Sequence, residues 1–237
     1  MTTDEKELGR LAGLLYFIVV AAGTFSLAYV PSKTIVAGDF QATATAIAAS
    51  EPLFRFGIAG FMVMQAAFLV LPLVLFRLFR TVDLPASVLM VSLAAVSVPL
   101  GLASLVNKLD ALSFLTDPYF AQSLAPERLL AAAKASLDAY GHGLLVTRLF
   151  WGLWLFPFGY LALKSRMLPR SLGVLLMLGG LGYLINVFGE LLVPQYSGLH
   201  VSGYIGLPAA AGEIGTCLWL LLAGARRPGN RAATAAT

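Results

Sequence analysis

Residues 56–76 read FGIAGFMVMQAAFLVLPLVLF, 21 consecutive positions without a charged side chain. As a helix at about 1.5 Å per residue this stretch is about 30 Å long, the thickness of a bilayer's hydrocarbon core. A water-soluble core can be built from shorter, interrupted apolar segments, so lipid is the solvent that explains such a run. Reading outward, comparable runs occupy 11–30, 84–106, 144–163, 172–193 and 205–223. The expected fold is therefore all-α, a polytopic membrane bundle of six transmembrane helices. Composition agrees: 59% of residues are hydrophobic, 12% are charged and mean hydropathy is +0.83, against roughly 25% charged residues in soluble domains.

The connections between runs set the local organisation. Those after Phe76, Leu163 and Val193 are short, which predicts antiparallel helical hairpins. Two are long. In 31–55, Asp39 is placed to cap an Ala/Thr-rich surface helix that Ser50-Glu51-Pro52 ends. In 107–143, Asp117-Pro118 marks a turn and Pro126 opens a second helix, one expected to run on into the fourth span. Pro72, Pro99 and Pro157 fall inside spans, where a kink is tolerated if neighbours satisfy the freed carbonyls. Residues 1–225 are expected to form a single six-span domain and 226–237 a disordered cytoplasmic tail.

Basic residues orient the bundle. Lys6, Arg10, Arg77, Arg80, Lys164, Arg166, Arg170, Arg226, Arg227 and Arg231 fall on one side, ten in all. Lys33, Arg55, Lys108, Arg128 and Lys134 fall on the other, and Arg148 lies within a span. The richer side is expected to be cytoplasmic, with both termini there. A net charge of +4 is thus a matter of topology; the bases are dispersed between apolar runs, and no nucleic-acid partner is expected. The 11–30 run is too long for the usual h-region of a cleaved signal peptide, about 7 to 15 residues. The single Cys217 excludes an internal disulfide and any cysteine-rich metal site.

Ionisable groups inside spans are costly and tend to mark pairing or function. Here they are Arg148, Glu190 and Glu213, with Gln65 and Asn186 as uncharged companions. On the orientation above, Arg148 and Glu190 lie roughly 6 Å inside the outer boundary and Glu213 roughly 12 Å. Arg148 is accordingly expected to pair with Glu190 or Glu213, since an unpaired charge in lipid costs at least about 2.5 to 3.5 kcal/mol. Tyr183, Asn186 and Glu190 share one helical face. Two readings follow: a polar pocket open to the outside that binds or moves a small solute or lipid, lined by Arg148, Glu190, Glu213, Asn186 and Tyr183, or a structural clasp between helices in a membrane subunit.

A third reading is enzymatic. Asp138 and His142 are i, i+4 if the helix continues through Gly141 and Gly143, a spacing that could orient an imidazole for acid/base work at the membrane interface. No ligand spacing assembles His142, His200, Glu190 and Glu213 into a metal site, so no metal is expected. Walker A, HExxH, GxSxG and GxGxxG motifs are absent from the sequence, so ATP hydrolysis and a bound cofactor are not expected. The aromatic stretch of Phe150, Trp151, Trp154 and Phe156 is read as packing.

The stretch from Arg10 to Tyr16, Gly38-Asp39 with the Ala-Thr-Ala that follows, Glu51 to Arg55, Gly159-Tyr160 through Ser165, Leu168-Pro169-Arg170, Leu172 to Leu175 and Gly182 to Ile185 resemble the bacterial membrane family catalogued as domain of unknown function 4386. The likeness covers nearly the whole chain apart from the tail. It implies a multi-pass protein of the bacterial cytoplasmic membrane and carries no activity with it. Members of that family often read Asp-Ala-His-Gly-Tyr-Gly where this chain has Asp138 to Gly143, so His and Tyr are exchanged here. A histidine at i+2 would point elsewhere on a helix, which weakens the acid/base reading.

Overall fold

The computed structural model describes residues 3–199 and 201–225; the tail and His200 lie outside the described residues. All regular structure among them is helical. In chain order the elements are α1 (Thr3–Thr24), a π turn (Phe25–Tyr29), α2 (Val30–Thr34), α3 (Phe40–Ala49), α4 (Glu51–Phe79), α5 (Leu84–Thr116), α6 (Pro118–Ser123), α7 (Pro126–Leu153), α8 (Leu155–Ser165), α9 (Arg170–Leu192), a 3₁₀ turn (Tyr196–Leu199) and α10 (Ser202–Ala223). Six helical segments are long and apolar enough to cross a membrane: Glu5–Thr34, Glu51–Phe79, Leu84–Thr116, Pro126–Ser165, Arg170–Leu192 and Ser202–Ala223. The chain is a multi-pass, all-α membrane protein.

Several boundaries differ from the apolar runs. The first span continues past Val30-Pro31 to Thr34 because the π turn widens one backbone bond, Val30 N–H reaching back to the Phe25 carbonyl, and Pro31 then takes a first-turn position where a missing N–H is harmless. The third span runs ten residues beyond Val106, to Thr116. Asn107, Lys108 and Asp110 end the apolar run, yet none of them breaks a helix. The fourth span is interrupted once, at Trp154, where Pro157 cannot donate to the Leu153 carbonyl; Pro72 and Pro99 sit inside unbroken helices. Gly141 and Gly143 leave α7 continuous. The expected cap forms, Asp39 accepting from Ala42 N–H at 2.9 Å; Asp117, expected in a turn, caps α6 by accepting from Tyr119 N–H at 2.9 Å.

Packing divides the chain into two compact units. Among the described residues one comprises 3–17, 69–95, 148–199 and 201–225. Its framework is the α8/α9/α10 packing, which glycines bring close: a Cβ on Gly179 would lie 2.6 Å from Ala209 Cα, and one on Gly159 of α8 2.7 Å from the Gly173 carbonyl oxygen of α9. Lipid tails are as apolar as leucine, so close approach of backbones replaces hydrophobic burial as the cohesive force. An aromatic cluster adds to it: Trp154 stacks on Phe158 at 5.1 Å, and Tyr16 and Phe79 meet the same ring edge-on or tilted.

At one end of this unit Asp83 caps α5, accepting from Ala86 N–H at 3.1 Å, while its other oxygen accepts from Lys164 Nζ at 2.7 Å and from the Tyr160 hydroxyl at 3.2 Å. The bonded Lys164 ammonium, helped by the Ala86 amide, holds the Asp83 carboxyl below its usual range. Its folded-state pKa is the lower one, so the stabilisation is complete above the unfolded carboxylate's pKa of about 3.9 and is lost as pH falls below it. Asp83→Asn keeps the cap and removes the titration. The variant is expected to lose less thermal stability than the wild type below about pH 4; parallel curves of melting temperature against pH would contradict this.

The second unit comprises 18–68 and 96–147. Gly57 faces Val30 and Gly60 faces Phe25 and Ser26, so α4 offers small residues where the π turn bulges. Gln65 is fully buried and donates to the Val98 carbonyl at 3.2 Å, passing over Gly101, which fastens α4 to α5. Lys108 points inward too: it is 5% exposed, and its ammonium lies 4.8 Å from the Phe54 ring centre and 5.1 Å from that of Tyr140. An unbalanced charge in lipid costs at least about 2.5 to 3.5 kcal/mol; two cation–π contacts, about 0.5 to 2 kcal/mol each, offset part of that.

Candidate functional site

The intramembrane ionisable residues singled out in the sequence, Arg148, Glu190 and Glu213, all fall in the first unit. α7 delivers Arg148 beside the last turn of α9, where Glu190 receives it. One guanidinium nitrogen, Nη1, lies 3.1 Å from Oε1 and 3.2 Å from Oε2 of Glu190. Both side chains are 35% exposed, so in water the pair would contribute no more than about 1 kcal/mol. Its weight lies in neutralising two charges that lipid would otherwise penalise.

Glu213 has a different setting. It occupies the middle of α10, eleven residues from Ser202 and ten from Ala223, roughly 15 Å from either end. No base forms an ion pair with it among the described residues. Two phenols face it instead, Tyr16 from α1 and Tyr183 from α9. The Tyr16 hydroxyl is completely buried and lacks a partner of proper hydrogen-bond geometry, so it approaches the carboxyl without a well-formed bond. Thr216, one turn along α10 from Glu213, has a buried hydroxyl without a partner as well. Tyr183 lies within the field of both Glu213 and Arg148. The polar groups thus form a line: Glu190, Arg148, Tyr183, Glu213, Tyr16.

Asn186 stands apart from that line. Its amide donates to the Ser202 carbonyl at 3.1 Å and its oxygen accepts from the Tyr196 hydroxyl at 2.7 Å, tying the α9–α10 connection together. Cys217, one turn beyond Glu213, packs against the Gly13 carbonyl of α1. In the second unit Asp138 accepts from Lys134 Nζ at 2.6 Å. Its bonded base thus lies one turn before it on α7, and His142, one turn after it, is exposed. No group of three or more metal-ligating side chains exists among the described residues.

Sequence reasoning missed Tyr16 and Lys108. Tyr16 is an aromatic residue in an apolar run, and nothing local links it to Glu213 two hundred positions later. Lys108 carried a signal, a base within two residues of an apolar run's end, and the error was to assume that helix and hydropathy end together.

A family model described as Domain of unknown function (DUF4386) matches residues 11–224. The chain belongs to this family. Neither a curated protein nor a solved structure matches it. The DUF4386 match takes in every member of the polar line from Tyr16 to Glu213, so the line lies within the family's domain. The family description names no activity.

Proposed function

We propose that this DUF4386 protein binds or moves a small solute or a lipid at the polar line among α1, α7, α9 and α10, approached from the outer face of a bacterial cytoplasmic membrane with both termini inside. The observation that carries the reading is Glu213: an acidic residue at mid-span that faces phenols and has no basic partner among the described residues. A carboxyl placed so in a spanning helix is expensive unless it serves a ligand, a proton or water. With Arg148 engaged by Glu190, the acidic group left to meet a ligand is the Glu213 carboxyl, which favours a solute bearing a cationic or hydrogen-bond-donating group. The basic-residue bias supports the orientation.

The clasp reading has one observation in its favour, the direct Arg148–Glu190 bond between α7 and α9. Substitution separates the two. The purified protein is to be screened by thermal shift against small organic amines, polyols and phospholipids, and Glu213→Gln and Arg148→Ala compared with wild type on whichever compound stabilises. Glu213→Gln is expected to fold and to weaken binding by at least about tenfold, a loss of about 1.4 kcal/mol. Arg148→Ala leaves Glu190 without its cation and is expected to be the less stable of the two. Unaltered binding by Glu213→Gln would refute the site; unfolding of both variants would establish the clasp.

A further inference from the structure

Lys108 belongs to the other unit and takes no part in the line just described. Its ammonium carries three N–H donors, and none of the hydrogen bonds or ion pairs among the described residues uses them. The carboxylates that could have balanced it are held elsewhere. Glu51, one turn before Phe54 on α4, is bonded to Arg55 at 2.7 Å. Asp138, just before Tyr140 on α7, is bonded to Lys134 at 2.6 Å. Asp110 is exposed and, at i+2 on α5, faces away from Lys108. Each wall therefore presents an aromatic ring to the ammonium and keeps its own acid tied to its own base.

A buried cation with aromatic walls, unused donors and no counter-ion among the described residues is an incomplete site. We propose that it is completed by an anion, and that Lys108 with Phe54 and Tyr140 forms a phosphate-binding site, filled by a phospholipid head group or by free phosphate. The aromatic walls supply a low-dielectric surround that strengthens a single charge pair. The location, about two turns inside the end of α5 and on the outer side by the basic-residue count, is within reach of lipid phosphates. Lysine suits this task as a compact point charge.

The test uses the full chain purified in detergent, with melting temperature followed on adding phosphatidylglycerol, inorganic phosphate or, as a head-group-free control, diacylglycerol. Wild type is expected to gain about 5 °C at concentrations roughly 100-fold above Kd, and nothing from diacylglycerol. Stabilisation by phosphatidylglycerol alone identifies a lipid as the source; equal stabilisation by inorganic phosphate identifies the free anion. Lys108→Gln is expected to abolish the shift and Lys108→Arg to retain it. Should Lys108→Gln fail to fold, reductive methylation of wild type decides instead: phosphate or phosphatidylglycerol is expected to slow modification of Lys108 by about tenfold, with Lys134 unaffected. The proposal is overturned if neither additive stabilises wild type, if Lys108→Gln responds as wild type does, or if Lys108 is not protected.

Discussion

Gly179→Val is expected to drive α9 from α10 and to be among the most damaging single substitutions in the chain. The reason is what a side chain would meet. A Cβ at 179 would lie 2.6 Å from the Cα and 2.9 Å from the backbone nitrogen of Ala209, and neither atom can be moved by a rotamer change. Overpacking of a core costs about 1 to 3 kcal/mol where side chains can yield, and here the backbone must yield. A loss of at least about 3 kcal/mol corresponds to a fall of about 6 to 12 °C in melting temperature for a chain of this size. Gly141→Ala is the control. It lies in α7 with nothing within 4 Å of the added carbon, and removing a helical glycine is expected to be neutral or to stabilise by about 0.5 to 1 kcal/mol. A melting temperature for Gly179→Val within about 2 °C of wild type would show that α9 and α10 are not packed as described.

Trp154→Ala is expected to cost about 3 to 5 kcal/mol, because Trp154 is 2% exposed and stacks on Phe158 while Tyr16 lies across both rings. In lipid the loss is one of dispersion contacts, since the alternative solvent is equally apolar. The informative partner is Tyr16→Phe. It keeps the ring in the cluster and deletes a buried hydroxyl that has no well-formed hydrogen bond, so stability is expected to stay level or to rise slightly. Under the proposed function the same change is expected to weaken ligand binding, because that hydroxyl faces Glu213. Thermal melts of the pair test the packing, and binding by Tyr16→Phe tests the site. A large loss of stability in Tyr16→Phe would mean that the hydroxyl is bonded after all.

How much of this was legible beforehand depends on the range of the interaction involved. Asp39 caps its helix as the sequence suggests because a cap is settled within three residues; Asp117-Pro118, read as a turn, caps the short α6 instead. The interruption at Trp154 lies within a turn of Pro157 for the same kind of reason. The π turn before Pro31 was not legible, since it reflects how the chain fits against Gly57 and Gly60 of another helix. At the candidate site, the presence of three intramembrane charges could be read from the chain; that Arg148 meets Glu190 and leaves Glu213 to two tyrosines could not. Asn186 and Glu190 share a helical face, yet one is bonded into the α9–α10 connection and the other to α7.

The run at 56–76 and its five counterparts determined by themselves that this protein resides in a membrane as an all-α multi-pass chain. The physical reason is that hydrocarbon solvates no backbone group, so each apolar run must close its own hydrogen bonds as a helix, whatever its neighbours do. Which faces of those helices meet was decided only in the tertiary structure. Lipid rewards no apolar face over another, so rotation is chosen by where small residues such as Gly179 and Gly180 admit a neighbour. That choice put Tyr16 and Tyr183 against Glu213 and turned Lys108 inward between two rings.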